Sequence, residues 1–399
     1  MDLLQITMAI VFWAFFGLLF YSYIVFSVLI WLLAKWFGRQ NGQPQISSNP
    51  PSISLLIAAY NEEAVIEKRI QNALAMDYPP DKLEIVVASD GSSDATSDIV
   101  RNYAGRGVKL LDFSDRRGKA AVLNSAIGEL NGAIVLLSDA NTLIDPCAAQ
   151  KLVRWFQDPK VGMVCGRLVL TDSHTGKNTD GLYWQYETFL KQCEGRLGAL
   201  LGANGAIYAI RKELYSPIPN DTIIDDFVIP LLAKLRTDRA IVYECEAVAR
   251  EETAPDLRSE FRRRSRIGAG GFQSIGVLWN LLHPRHGWVA FTYLSHKILR
   301  WLGPFFMIGM LISSVILMDM PLYRWLLLGQ IGFYGISIAG HFVPTRIKPL
   351  RLVRLITLFT GMNLALLVGF WRWMRGSQKA AWSRTARFAE AAGVNGTMR

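Results

Sequence analysis

The sequence predicts an α/β domain, a mostly parallel sheet covered by helices on both faces, joined to transmembrane and interfacial α-helices. Three observations predict it. Between Ser52 and about Arg250, short β-rich runs alternate with helical patterns, which is the signature of βαβ units. Ile6–Leu33 contains no formal charge. Further long apolar segments follow the alternating region.

As a helix, the first segment extends about 42 Å, enough to cross a ~30 Å hydrocarbon layer with tilt. It differs from a secretory signal because Asp2 is the only charged residue before it and no small-x-small cleavage site follows. Lys35 and Arg39 flank its end, and the positive-inside bias then puts the next segment in the cytosol. Gly42–Pro51, crowded with Asn, Gln, Ser and Pro, reads as a linker. The expected divisions are a membrane helix over 1–36, a linker over 37–51, the α/β domain over 52–255, interfacial helices over 256–297, membrane segments over 298–373 and a basic tail over 374–399.

Within the α/β domain the strand runs are Ile53–Ala58, Glu84–Ala88, Ala133–Leu137 and Val161–Val164, with helices beginning near Glu62, Ser93, Lys119 and Pro146. Leu257–Gly276 follows, with Arg258, Arg262, Arg263, Arg264 and Arg266 before a glycine-rich stretch, and it resembles an interfacial helix drawn to anionic lipid heads. Trp301–Met318, Trp325–Val343 and Leu355–Trp371 bring the candidate crossings to four. Four passes from outside would end outside, yet Arg372, Arg375, Lys379, Arg384 and Arg387 follow the last. That last segment, the shortest and containing Gly361 and Asn363, is therefore expected to be re-entrant or tilted.

Composition narrows the class. An apolar fraction of 51%, a charged fraction of 19% and a mean hydropathy of +0.21 exclude collagen-like, coiled-coil and disordered chains. The net charge of +10 suits an anionic membrane face or a phosphorylated substrate. Nucleic acid is disfavoured, since the chain is tethered to membrane and has no RNA- or DNA-binding signature. Cys147, Cys165, Cys193 and Cys245 show no CxxC spacing and read as reduced structural thiols.

Chemistry-bearing residues fall at strand ends. Tyr60, Asn61 and Glu62 stand where the first strand gives way to a helix. Open α/β sheets bind ligands at that edge, and helix N-termini offer N–H groups to anions. The second strand ends in Ser89-Asp90-Gly91-Ser92-Ser93-Asp94. The strand at Ala133–Leu137 ends in Ser138-Asp139-Ala140-Asn141, where two oxygen-bearing side chains on one side of an extended chain offer hard ligands to Mg²⁺ or Mn²⁺. Helix capping and turn formation explain each of these singly. Arg116-Arg117-Gly118-Lys119 is a basic turn without P-loop spacing, suited either to phosphate or to solvent. Asp225 and Asp226, embedded in Ile223-Ile224-Asp225-Asp226-Phe227, are costly unless paired, metal-bound or kept for proton transfer.

The ordered set YNEE, SDGSSD, RGKAAVLN, SDAN, GANGAIYAIR, DDF and RRSRI resembles the family-2 membrane glycosyltransferases, which include cellulose, hyaluronan, chitin and poly-N-acetylglucosamine synthases and ceramide glucosyltransferase. The resemblance covers roughly Ser52 to Gln273 and implies a Rossmann-like GT-A fold. It implies that Tyr60, Asn61 and Glu62 line a nucleotide pocket, that Asp90 contacts the uracil of a UDP-sugar, and that Lys119 approaches the nucleotide. Asp139 and Asn141 take the position of the metal-binding DxD motif, with Asn in place of the second acid. Asp226 takes the place of the catalytic base, with Asp225 before it. Arg263 to Ile267 stands at QxxRW, placing Arg266 near the diphosphate and Arg263, Arg264 and Ile267 toward acceptor or interface. Arg263 replaces the leading Gln, and Ile267 replaces a Trp on which an acceptor sugar could stack. His174 is a further metal-ligand candidate, in a segment read as an exposed loop.

The chemistry is also reachable from the residues. Displacing a nucleoside diphosphate from an anomeric carbon needs a cation for the leaving group, an aligned hydroxyl and a base. Asp139 with metal, Arg266 and Lys119 supply the first, and Asp226 supplies the last. A single displacement inverts the anomeric centre. The leading expectation is a membrane-bound inverting transferase that extends a polysaccharide. The alternatives are a glycolipid synthase adding one sugar to a membrane lipid, and a non-catalytic nucleotide-binding membrane subunit.

Overall fold

The structure is a computed structural model that describes residues 2–39, 42–171, 182–252, 257–340 and 351–378. These form two compact units, one built on Ile30–Ser259 with Gly276–Thr292, the other on Met1–Leu29, Glu260–Ile275 and Tyr293–Gln378.

The chain starts in helices α1 (Leu3–Phe20) and α2 (Phe26–Phe37), continuous through a π-helical turn at Tyr21–Val25. Asp2 caps α1: its Oδ1 accepts from Gln5 N at 2.7 Å, and Gln5 Oε1 accepts from Asp2 N at 3.1 Å. The lone acid before the apolar run is thus a reciprocal helix cap.

The first unit holds an eight-stranded sheet in the order β3-β2-β1-β4-β7-β6-β8-β5. Its strands are β1 (Ile53–Ala59), β2 (Leu83–Asp90), β3 (Val108–Phe113), β4 (Ile134–Asp139), β5 (Leu143–Ile144), β6 (Val161–Thr171), β7 (Tyr208–Arg211) and β8 (Ala240–Glu252). β3-β2-β1-β4 run parallel, whereas β7 pairs antiparallel with both β4 and β6, and β5 pairs antiparallel with β8. Every residue of β1 is buried, as expected for a central parallel strand covered on both faces. At the edge, β3 exposes Lys109 and Asp112, which breaks the apolar run that a sequence reading relies on. Helices α3 (Glu63–Leu74), α4 (Thr96–Arg101), α5 (Lys119–Ala126), α6 (Ala148–Val153), α7 (Leu182–Arg196) and α8 (Asp225–Thr237) belong to this unit. α3 buries Ile66, Arg69, Ile70 and Ala73, a stripe at helical spacing with one charged member.

In the second unit, α9 (Leu257–Leu278) carries the arginine run. α10 (Trp288–Thr292) belongs to the first unit, and the second continues with α11 (Leu299–Trp301), α12 (Gly303–Ile316), α13 (Pro321–Gly340) and α14 (Arg351–Met374). Small residues let α9 and α14 approach closely: a Cβ on Gly369 would lie 2.5 Å from the Ser265 carbonyl oxygen, and one on Gly268 3.2 Å from Leu366.

The expectation of four crossings changes here. Among the described residues, two helices are long and apolar enough to cross a membrane, Leu3–Phe37 and Leu352–Met374. A third candidate is the pair Trp288–Trp301 and Gly303–Ile316, bent by 55°. The segment expected to be re-entrant or tilted is a 24-residue helix, because helix continues through Arg351, Arg354 and Arg372 beyond the uncharged stretch. The bend falls instead before α12, where Pro304 stands in the first turn and has no N–H to continue the preceding helix. α13 dilutes its apolar content with Arg324, Gln330 and four glycines. Residues 341–343 of the segment Trp325–Val343 and the tail residues Lys379, Arg384 and Arg387 lie outside the described residues.

Candidate active site at the carboxyl edge of the sheet

Parallel pairing of β1, β2, β3 and β4 carries their C-terminal ends to one edge. Ala58 pairs with Asp139, and Asp90 with Phe113. Tyr60, Asn61, Asp90, Phe113 and Asp139 therefore meet at that edge, although they come from four strands.

Asn61 adopts a left-handed conformation, φ 51°, which Asn tolerates better than bulkier residues. Its Oδ1 accepts from Ser93 N at 2.8 Å, and its own N–H donates to Ser92 Oγ at 3.2 Å, tying the end of β1 to the loop after β2. Glu62 is buried and donates its backbone N–H to Thr96 Oγ1 at 2.8 Å. Asp94 Oδ2 accepts from Glu63 N, while Glu63 Oε2 accepts from Ala95 N, both at 3.2 Å. The acids of the YNEE and SDGSSD motifs thus lock two helix starts together.

Asp90 is 1% exposed, and its two oxygens accept from Arg117 N at 2.7 Å and Gly118 N at 2.9 Å. A carboxylate at the N-terminus of α5 is favoured by the helix dipole, and charge-assisted bonds of this kind contribute roughly 1.5–3 kcal/mol each. Gly118, at φ 91°, makes the turn that aims both N–H groups inward. The same turn stacks Arg116 over the Tyr60 ring at 3.9 Å and Arg117 over Phe113 at 4.1 Å. Asp90, expected at a nucleobase, thereby fixes the loop that presents Arg116, Arg117 and Lys119.

Lys119 occupies the centre. Its Nζ donates to Asp139 Oδ1 at 2.7 Å and lies 3.2 Å from Asp225 Oδ2. Burial opposes its charge, but the carboxylates of Asp139, Asp225 and Asp226 outweigh that and raise its pKa above the ordinary lysine value. Asp225 is 7% exposed and turned toward this lysine, whereas Asp226, the next residue of the first turn of α8, is half-buried.

The start of α8 is held from outside the helix. Pro230 has no N–H to donate to the Asp226 carbonyl one turn earlier, and Ala203 N takes that acceptor at 2.9 Å. The Gly202–Gly205 loop lies against both carboxylate-bearing elements: a Cβ on Gly202 would come within 3.1 Å of Phe227 Cα, and one on Gly205 within 2.7 Å of Asp139 Oδ2. Asn204 anchors the loop by donating to the Gly166 carbonyl at 2.7 Å. Sequence reasoning missed Gly202, Ala203, Gly205 and Tyr208 as individual residues. Their signal was present in the GANGAIYAIR motif, whose glycines permit this approach.

Among the described residues, no three His, Cys, Asp or Glu side chains cluster as a closed metal site. Mg²⁺ and Mn²⁺ sites that share their shell with phosphate need one or two protein oxygens. Asp139, with 35% of its side chain exposed, fits that requirement, and exposed Asn141 follows two residues later. His174 lies outside the described residues. Arg263, Arg264, Arg266 and Ile267 lie on α9, in the other compact unit. There Glu260 accepts from Arg263 Nε at 3.1 Å and Arg264 Nε at 2.7 Å, Arg266 is half-buried, and Ile267 is exposed.

Comparison with known proteins gives this arrangement relatives. Residues 54–215 match the profile described as Glycosyl transferase family 2. The poly-beta-1,6-N-acetyl-D-glucosamine synthase of Staphylococcus aureus (strain COL) is 29% identical over 272 residues, which cover 64% of this chain and 65% of that protein. The synthase of the same name from Staphylococcus epidermidis is 27% identical over 272 residues with the same coverage. The matched region thus spans just under two thirds of these relatives. Among solved structures, the mannosyltransferase PcManGT from Pyrobaculum calidifontis, in complex with GDP-Man and Mn²⁺, covers 93% of this chain and 99% of its own at a TM-score of 0.69 and 21% identity. At that identity the likeness shows the fold.

Proposed function

Starting from residues 54–215 as a family-2 glycosyltransferase domain with a GT-A-like fold, we propose that the chain is a membrane-associated inverting transferase. It moves N-acetylglucosamine from a UDP-sugar onto a growing polysaccharide. The sugar and polymer follow from the names of the curated relatives. The observation that carries the reading is Lys119 bridging Asp139 and Asp225 beside Asp226, at the sheet edge where such folds bind ligands.

In this reading Tyr60, Asn61, Glu62 and the loop held by Asp90 flank the nucleotide. Asp139, with Asn141, would hold Mg²⁺ or Mn²⁺, which when bound neutralises charge on the diphosphate. Lys119 lends its charge to the same leaving group. Asp226 takes the proton of the acceptor hydroxyl as its oxygen bonds to the anomeric carbon and the bond to the diphosphate breaks on the opposite face. Asp225, turned inward, holds Lys119 instead of touching the acceptor. The apolar helices keep the chain in a membrane, with the sheet domain on the cytosolic side of Lys35 and Arg39. In this reading membrane lipids are partners of the apolar helices.

The test uses the full chain in detergent with UDP-N-acetylglucosamine, other sugar nucleotides and Mn²⁺ or Mg²⁺. The expected result is UDP release that Asp226→Asn abolishes, together with a high-mass product. A single glycolipid band would replace the polymer with a lipid acceptor. Nucleotide binding without turnover of any donor would overturn the enzyme reading.

A further inference from the structure

Beside Lys119 lies a small cavity of about 10 Å³ whose lining includes Lys119, Ser138, Gly205, Tyr208 and Asp225. Two of the lining residues carry a buried polar atom without a hydrogen-bond partner, Tyr208 Oη and Asp225 Oδ2. Both side chains belong to residues more than nine-tenths buried, at 1% and 7% exposure. The Lys119 contact at 3.2 Å is an ion pair on that oxygen but not an aligned hydrogen bond. Two orphaned groups in a native core call for an explanation, because each costs about 1–3 kcal/mol if left unmade. Here one is a donor and the other an acceptor, and they line the same space. A cavity of this size accommodates about one water, and a polar lining is what retains it.

We propose that Tyr208 is a positioning residue that acts through one internal water on Asp225, and through Asp225 on Lys119. The inference rests on the glycosyltransferase reading and deepens it by separating the two adjacent aspartates. Tyr208 stands on β7, paired with Leu137 and Cys165, and its side chain is held by packing at 1% exposure. Tyr208 keeps its proton, because burial first and then the nearby Asp225 and Asp226 charges raise its pKa well above the ordinary tyrosine value. It is therefore a permanent donor. Ser138, whose hydroxyl donates to the Ala206 carbonyl at 2.7 Å, offers the water a further oxygen. The water completes the shell of Asp225, which then presents a fixed carboxylate to Lys119.

The experiment combines Tyr208→Phe, Asp225→Asn and the double variant in the full chain, assayed with UDP-N-acetylglucosamine and Mn²⁺. A high-resolution structure of the parent protein accompanies the kinetics. We expect density for one water between Tyr208 Oη and Asp225, its loss in Tyr208→Phe, and a kcat lowered about fivefold with KM within twofold. The double variant should be no slower than Asp225→Asn, since Tyr208 acts through that carboxylate. Additive effects of the two substitutions, an unchanged kcat in Tyr208→Phe, or no water density in the parent would each overturn the proposal. If the parent turns over no donor, the glycosyltransferase reading fails, while the water density still judges this inference alone.

Discussion

Gly205→Ala tests whether the orientation of Asp139 governs activity. An alanine Cβ at this position would stand 2.7 Å from Asp139 Oδ2, against 3.4 Å where ordinary contact begins, so the carboxylate must retreat by about 0.7 Å. The displaced group is the end of a short side chain, and rotating it off its preferred angle costs about 0.5–1.5 kcal/mol. Stability should therefore fall little, with Tm lower by no more than about 5 °C. Function should fall much further. Lys119 holds the other oxygen at 2.7 Å, so the carboxylate cannot turn without disturbing that bond. A misplacement near 1 Å at a reacting site costs about a hundredfold, and we expect kcat/KM to drop roughly ten- to a hundredfold. The assay is UDP release by the full chain in detergent during a Mn²⁺ titration, with thermal unfolding followed in parallel. Gly128→Ala is the control, since its Cβ would meet nothing within 4 Å. Gly205→Ala retaining turnover within threefold of the parent, with the same Mn²⁺ dependence, would refute the reasoning.

Lys119→Met leaves Asp139 and Asp225 facing each other uncompensated. Breaking a buried pair costs about 3–5 kcal/mol, which we reduce to about 2–3 because Asp139 is 35% exposed and screened, and thermal unfolding reads the loss. Asp90→Asn offers one acceptor oxygen to two backbone N–H groups, so a stability loss of about 1–3 kcal/mol and a raised donor KM are expected from denaturation and kinetics. Arg69→Met should be neutral or stabilising by up to about 3 kcal/mol at pH 7, because Arg69 is fully buried with Nε and Nη2 unpartnered. Burial pushes its pKa down to about 9, against the opposing pull of Asp139. A base whose pKa is lowered by folding burdens the native state most below that value, and the burden lifts as pH rises above about 9. The advantage of Arg69→Met should thus be smaller at pH 10 than at pH 7, measured by denaturant unfolding at both.

The parallel half of the sheet was legible because β1, β2 and β4 are continuous apolar runs, and their ends were readable to within a few residues. β3 was not, since its edge position lets Lys109 and Asp112 face solvent. β7 and β8 were also missed: β7 is four residues long, and β8 mixes glutamates with apolar residues along an irregular partner. The acids at strand ends were legible for a topological reason, because parallel strands deliver their C-termini to the same edge. Their individual tasks were not. Nothing local distinguishes Asp90, closed off by two backbone N–H groups, from Asp139, which remains partly open.

The sequence by itself determined where the parallel strands β1, β2 and β4 and the helices after them begin, that long apolar helices accompany an α/β domain, and which residue types stand at the carboxyl edge. These depend on periodicity and composition over a few turns of chain. Only the tertiary structure decided that Lys119 stands between Asp139 and Asp225, that Ala203 takes the carbonyl freed by Pro230, and that Tyr208 shares a cavity with Asp225. Those relations turn on ångström distances between segments far apart along the chain, and charge, burial and hydrogen bonding acquire their values only at such distances.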